Sequence, residues 1–318
     1  DYDLQAYKNG NKRINRNNRD VLRRKKAVCF GYSTLFKALC EEMGIEAELI
    51  SGYSWDTLTS TENPDEPDHA WNAVKIDTAW YLLDATWGSS TLDRKSTFLK
   101  SKNQDYFLVH PKSFVRSHLP QDPMWQLLDC PVSLTSFFSQ RSKMTEFLTS
   151  EEPCFDFRDS IAAFKSMTMA GQKIKTAENA VLFNPSQQMK AELASTYIDQ
   201  AGILSNQVET MDPETEAAEI KRLQSRIIEL FRKAIPLSKL YDWQWELFIN
   251  TLINQAVISY NTRTAENRKI TLEHSIGLLE EAQQLFVHST NDFFKVQAEQ
   301  QCRAYLEVLQ AELNNLKK

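Results

Sequence analysis

Val28-Cys29-Phe30-Gly31-Tyr32-Ser33 opens the stretch that decides the fold, with Leu35, Phe36, Leu39 and Met43 continuing it. From Tyr32 onward the apolar residues recur at helical spacing, and Gly44 stands where a C-terminal cap is expected. The spacing predicts a helix beginning near Gly31, with Cys29 immediately before it. A thiol at a helix N-terminus feels the positive end of the macrodipole and the nearby N–H groups, and both favour the thiolate. The plainer reading is a small buried cysteine, which is what Cys40, mid-helix beside Leu39, is expected to be.

Working outward, Ala47 to Tyr53 reads as a short strand. Asp56 to Asp68 is a loop rich in acid and proline, expected as a lid beside His69, whose carboxylates favour basic peptides or a basic partner. Ala70 to Ile76 and Trp80 to Trp87 are aromatic and β-branched, with Asp77, Thr78 and Ala79 as a tight connection, so two antiparallel strands are expected. A helix followed by neighbouring antiparallel strands is an α+β pattern. Two histidine and carboxylate positions follow from it. His69 falls at the mouth of the first strand, where its ring can face a helix start and accept a proton. Asp84 falls within the second strand, where a carboxylate among Tyr81, Leu82 and Leu83 is costly to bury without a partner. A short hairpin can set it beside His69 to fix the imidazole tautomer. Taken singly, Asp84 reads as a turn-proximal cap and His69 as a surface histidine. Taken together, Cys29, His69 and Asp84 supply nucleophile, base and orienter.

Three sequence words carry a resemblance. Val28 to Ser33, His69-Ala70-Trp71-Asn72-Ala73-Val74 and Trp80-Tyr81-Leu82-Leu83-Asp84-Ala85-Thr86-Trp87-Gly88 resemble the transglutaminase-like superfamily in its order. With Tyr106-Phe107-Leu108, Ser117-His118-Leu119-Pro120, Asp122-Pro123 and Trp125-Gln126-Leu127-Leu128, the chain looks most like the kyphoscoliosis-peptidase and cytokinesis-protein branch, over roughly residues 20 to 130. The resemblance implies a papain-like fold, with a cysteine-bearing helix packed on an antiparallel sheet, and a catalytic triad at Cys29, His69 and Asp84. It also implies a cleft formed by Phe30, Gly31, Tyr53, Trp55, Trp71, Asn72 and Trp87. His118, as a landmark of the branch, is expected to be structural, while His110, His274 and His288 are expected to serve packing or solvent. The sequence departs from the pattern at Phe30, where a small residue is usual, and at Ser54-Trp55, which replace a more Lys/Gly-like pair. The family's helix upstream of Tyr2 is not expected within this sequence, and the second oxyanion donor that often comes from there is not named by it.

The bulk numbers set limits. The chain has 318 residues, 42% of them hydrophobic and 25% charged, enough for two domains with real cores. We expect residues 1–150 to form the N-terminally incomplete transglutaminase-like domain and 151–318 a helical domain. A net charge of -5 argues against nucleic acid as a partner, and the basic segment before Lys26 is expected to be a solvated arm. No apolar run is long enough to span a bilayer. The chain opens at Asp1 and not at Met, so a mature or trimmed form is expected, which leaves the compartment open, export included. Five scattered cysteines without a CxxC pair make zinc and a dense disulfide framework unlikely expectations, and the odd count leaves at least one thiol outside any internal disulfide. No metal and no organic cofactor is expected; residues 56–68 contain no glycine of the kind a calcium loop needs.

Beyond Glu151 helices dominate. Asp212 and Pro213 read as the cap and first turn of a helix carrying Ile220, Leu223, Ile227, Leu230 and Phe231. Further helices are expected around Trp245, Phe248 and Leu252, over about Thr271 to Val287, and over Asp292 to Leu316, as an antiparallel, helix-pair-like array. This half is the expected surface for a protein partner. The expected activity is cysteine-dependent acyl transfer through a thioester, by a peptidase or amidase acting on protein or peptide. The alternatives are a non-catalytic interaction scaffold on the same fold, or a protein-crosslinking transglutaminase.

Overall fold

The computed structural model describes residues 1–8, 17–55, 66–92, 98–100, 102–139 and 155–316. The chain divides into two compact units, Asp1–Met189 and Lys190–Lys318.

In the first unit, α1 (Leu4–Lys8) and α2 (Asn18–Arg24) precede α3 (Cys29–Glu42). The N-terminal segment is more than a solvated arm. Tyr2 bridges Ala27 in parallel, the Asp3 N–H donates to the Ala27 carbonyl at 2.8 Å, and Ala6 and Val21 are buried. The basic residues Arg23 to Lys26 do stay exposed. Helix α3 stops at Glu42 because Gly44 takes a left-handed φ of 71°, which reverses the chain without a Cβ penalty.

A four-stranded antiparallel sheet follows, built from β1 (Ala47–Ser54), β2 (His69–Ile76), β3 (Ala79–Leu83) and, after two short strands β4 (Ser90–Leu92) and β5 (Phe98–Lys100) that pair with each other, β6 (His118–Pro120). The order across the sheet is β3-β2-β1-β6. One face of the sheet carries Val74 and Leu83 against Cys40 of α3. Asn72, on the same face of β2 as Val74, ties helix to sheet by donating to the Ser33 carbonyl at 3.0 Å and the Glu48 carbonyl at 3.1 Å. The other face carries Trp71, Ala73 and Leu82 against Phe114, Met124 and Trp125.

Gly52 is the close-approach point of this sheet. It pairs with His69 on one side and Pro120 on the other. A Cβ there would lie 2.3 Å from the Leu119 carbonyl oxygen and 2.4 Å from the Trp71 ring. Only glycine lets β6 lie this close over the tryptophan.

The predicted strand Trp80–Trp87 is shorter than its composition suggests. Pairing ends at Leu83, and a one-turn helix, α4 (Ala85–Ser89), begins immediately after Asp84. The reason is local: Asp84 Oδ1 accepts the Thr86 N–H at 2.7 Å and the Trp87 N–H at 3.2 Å, so the carboxylate caps a helix in place of the next strand pair.

A short helix α5 (Pro111–Phe114) leads into β6, and α6 (Leu134–Ser139), α7 (Phe157–Ser166) and α8 (Met169–Phe183) complete the unit. Helix α9 (Gln187–Glu209) begins at the junction. The second unit continues with α10 (Ala217–Ala234), α11 (Asp242–Asn261), α12 (Arg268–Leu285) and α13 (Asp292–Asn315). Its core comes from one apolar stripe per helix, for example Ile220, Leu223, Ile227, Leu230 and Phe231 on α10, with the Phe231 ring stacked 5.0 Å from Phe248. Asp212 and Pro213 do not start α10. Asp212 closes a separate turn by accepting the Glu214 N–H and the Thr215 hydroxyl, and the helix begins five residues later at Ala217. An Asx turn satisfies the carboxylate as well as a cap would, so the sequence signal is common to both.

Candidate active site

Cys29 is the first residue of α3, one step further into the helix than its spacing suggested. Val28, an extended residue without a capping side chain, precedes it. The Val28 side chain therefore leaves the first N–H groups of the helix uncapped.

His69 opens β2, held by its pairing with Gly52. Its Nε2 lies 2.8 Å from Asp84 Oδ2. The other ring nitrogen is left for the Cys29 side chain, which is near enough to raise the proton affinity of the ring. Burial pushes the His69 pKa down, but the Asp84 charge, the Cys29 sulfur and their hydrogen bonds outweigh it, and the net value is well above that of a free imidazole. Burial alone would raise the pKa of Asp84; the His69 charge and the hydrogen bonds from both imidazoles reverse this and hold it well below the carboxylate range. The pair is thus poised as imidazolium and carboxylate.

A second histidine stands on the far side of Asp84, and sequence reasoning did not place it there. His118 Nε2 lies 3.1 Å from the same Oδ2, and its Nδ1 is 2.8 Å from the Ser117 hydroxyl. It is fully buried, and desolvation, only partly offset by Asp84, lowers its pKa to about 4. The sequence signal was the His118-Leu119-Pro120 landmark itself; its contact with Asp84, 34 residues away, exists only through the β1–β6 pairing.

Tyr2 is the other residue that sequence reasoning missed. Its hydroxyl lies within hydrogen-bonding reach of the Cys29 backbone N–H, and burial followed by the nearby Cys29, Tyr7 and Asp84 raises its pKa far above the phenol range. A phenol so placed stays protonated.

The expected cleft residues separate into two sets. Trp87 lies at the site, with its ring 5.3 Å from His69 and 4.6 Å from His118. Phe30 and Trp55 are half-buried, Trp55 against Phe138. Tyr53, Trp71 and Asn72 are in the core and not on a cleft wall: Tyr53 packs with Val115 and Leu119 and accepts the Asn184 amide at 2.8 Å, while Asn72 bridges α3 and β1. Gly31 is buried inside α3. A period-2 strand sends alternate residues to opposite faces, and the aromatic ones were needed to fill the core. Residues 56–65 of the expected acidic lid lie outside the described residues. Asp68 accepts the Ser54 N–H at 2.7 Å and pins the end of β1. Of the other histidines, His110 caps α5, and His288 stacks on Trp245 at 4.2 Å.

Could the cluster hold a metal? One ligand atom each of His69, Asp84 and His118 falls within 4.8 Å of the others. Yet Asp84 Oδ2 already sits at hydrogen-bond distance from both Nε2 atoms, and each nitrogen would have to give up its own proton, and its bond to Asp84, before it could ligate. The donor set fits a proton network better than a metal site. Cys40 and Cys302 are buried free thiols and Cys130 is disulfide-bonded, so cysteine ligands do not gather here either, among the described residues.

Comparison with known proteins adds an independent line. The transglutaminase-like superfamily profile matches residues 1–85. Kyphoscoliosis peptidase of Mus musculus is 41% identical over 133 residues, covering 40% of this chain and 20% of that protein. Hillarin of Drosophila melanogaster is 30% identical over 120 residues, 33% of this chain and 15% of that protein. Cytokinesis protein 3 of Schizosaccharomyces pombe is 29% identical over 133 residues, 38% and 15% of the two chains. The match spans a fifth or less of the length of these relatives.

Proposed function

Starting from the membership of its N-terminal region in the transglutaminase-like superfamily, in the kyphoscoliosis-peptidase and cytokinesis-protein branch, we propose that the protein is a cysteine-dependent acyl-transfer enzyme, a peptidase or amidase. The observation that carries the reading is the buried imidazole–carboxylate pair, His69 Nε2 and Asp84 Oδ2 at 2.8 Å, with a cysteine at a helix start near enough to raise the proton affinity of that imidazole.

In this reading the Cys29 proton already rests on His69, and the sulfur attacks a peptide or glutamine-like amide carbon as the thiolate of that ion pair. The carbonyl π pair moves to oxygen, and the Cys29 backbone N–H and the protonated Tyr2 hydroxyl beside it are the donors proposed to stabilise it. As the intermediate collapses, the C–N bond breaks and His69 gives its proton to the leaving amine. Water then cleaves the thioester, with His69 now as base. Hydrolysis is preferred to amine transfer, because among the described residues no feature marks a second-substrate site. The name peptidase, carried by one of the relatives, points the same way.

One observation favours the scaffold alternative. Cys29 is 4% exposed and His69 9% exposed, so little of either group is open to a substrate in this conformation. Alkylation by iodoacetamide separates the readings. The enzyme reading expects Cys29 to react faster than Cys40 and the excess to vanish in His69→Ala; equal rates for the two thiols would leave the scaffold. Peptides cleaved by wild type and spared by Cys29→Ser would then identify the substrate.

A further inference from the structure

The mechanism above uses one imidazole, yet two are bonded to Asp84. We propose that His118 is a positioning residue for the Cys29–His69 pair, acting through Asp84 as a fixed neutral donor; this rests on the acyl-transfer reading of the site.

The protonation states follow from the contacts. Asp84 is ionised and can only accept, so the nitrogens facing Oδ2 at 2.8 and 3.1 Å both carry hydrogen. On His118 the proton is therefore on Nε2. Its Nδ1 has the lone pair, which takes the Ser117 hydroxyl hydrogen at 2.8 Å, since the competing Phe114 carbonyl lies farther away at 3.5 Å. Ser117 thus selects the tautomer that His118 needs in order to donate.

A role as a second catalytic base is closed to it by position. Its ring is stacked 4.2 Å from Phe114 and edge-on to Trp71 and Trp87, with no exposed surface. It touches the reaction only through the carboxylate. There its contribution is specific. Asp84 accepts four N–H groups, two backbone on Oδ1 and two imidazole on Oδ2, which fixes the carboxylate plane and leaves it little capacity to pull the proton off His69. Without His118, Oδ2 has an unmet lone pair in a buried site, and the carboxylate is held by three N–H groups in place of four. His69 then loses the alignment that points its other nitrogen at the sulfur. Gly52 is part of the same device, because β6 can bring His118 in only over a residue with no Cβ.

The test measures iodoacetamide alkylation of Cys29 in the intact chain, with Cys40 in the same molecule as the control for loosening of the fold. His118→Phe keeps the ring and removes the donor; His118→Gln keeps an N–H. The expected result is a fall in the Cys29 rate of about tenfold or more in His118→Phe, with the Cys40 rate unchanged, and substantial recovery in His118→Gln. Ser117→Ala, which releases the tautomer, is expected to slow Cys29 by a smaller factor. If His69→Ala slows Cys29 while His118→Phe does not, the positioning role is wrong and the acyl-transfer reading stands. If His118→Phe speeds Cys40 as well, or His118→Gln fails to recover, the residue is merely structural. Where His118→Phe does not fold, Ser117→Ala decides, and an unchanged Cys29 rate there overturns the proposal. A wild type in which Cys29 reacts no faster than Cys40 removes the acyl-transfer reading itself.

Discussion

In the N-terminal unit the buried residues that matter for chemistry are polar and come from far apart: His69 and Asp84 are 15 residues apart and His118 is 34 further on, meeting at one carboxylate oxygen. In the C-terminal unit the buried polar residues, such as Gln224, Gln255 and Ser275, are uncharged, and the apolar ones are local, such as Ile220, Leu223, Ile227 and Leu230 three and four apart on one helix, while the ion pairs Glu219–Arg222 and Arg226–Glu229 of that helix lie outside. The contrast separates two ways of being stable. A helical stripe buries apolar area and tolerates error, because hydrophobic attraction has no direction. A buried polar cluster must satisfy each donor and acceptor, because a lone charge in a low-dielectric site costs far more than the contact returns.

The comparison can be broken at several points. Asp84→Asn is expected to do most damage, removing the charge that supports the His69 imidazolium; turnover of any peptide cleaved by wild type but not by Cys29→Ser should fall by a factor on the order of 10⁴, measured by cleavage kinetics. A loss below tenfold would mean that the carboxylate is only a cap for α4. Next comes Leu252→Ala, which empties a fully buried site on α11. Denaturant unfolding should show a loss of about 4 kcal/mol, with the Cys29 alkylation rate of the folded protein as in wild type.

Gly52→Ala is the converse case, one added methyl group in the polar unit. The clash with the Leu119 carbonyl and the Trp71 ring predicts a loss of about 3 kcal/mol, read as a lower Tm. Here the Cys29 alkylation rate should fall as well, because β6 carries His118. Stability lost with the rate intact would detach the strand from the site.

The smallest effect sharpens the rule about buried charge. Burial raises the Asp122 pKa to about 6, despite the Asn179 amide, the Met124 N–H and the Lys175 charge, which lower it. The folded chain holds this proton more tightly than the unfolded one, whose aspartate titrates near 4. Stability tied to Asp122 is therefore complete below about pH 4 and is lost as pH rises through 6. Between pH 4 and 7 the stability difference should move in favour of Asp122→Asn by on the order of 2 kcal/mol, measured by thermal unfolding across that range. A difference that does not change with pH would show that Asp122 is ionised throughout.

Much of the fold was legible. The run from Tyr32 to Met43 reads as a helix because its apolar period is strong, and β1 and β2 stand within a residue of their expected bounds. Misreadings arose where one side chain has two uses. Asp84 sits in strand-like company, yet its carboxylate turns the chain into α4. Asp212 and Pro213 resemble a helix start and make a turn. Tyr53 and Trp71 look like cleft aromatics, but the face of the sheet to which each belongs puts them in the core.

What the sequence determined by itself is the set of chemical parts and their local frames: a cysteine at the head of a helix, a histidine at the mouth of a strand, an aspartate at a strand end, and amphipathic helices after them. Local period and capping chemistry suffice for these. Tertiary structure alone decided that His118 shares Asp84 with His69 and that the Tyr2 hydroxyl meets the Cys29 N–H. Both depend on pairings between distant segments, at Gly52–Pro120 and Tyr2–Ala27, which leave no periodic trace in the sequence.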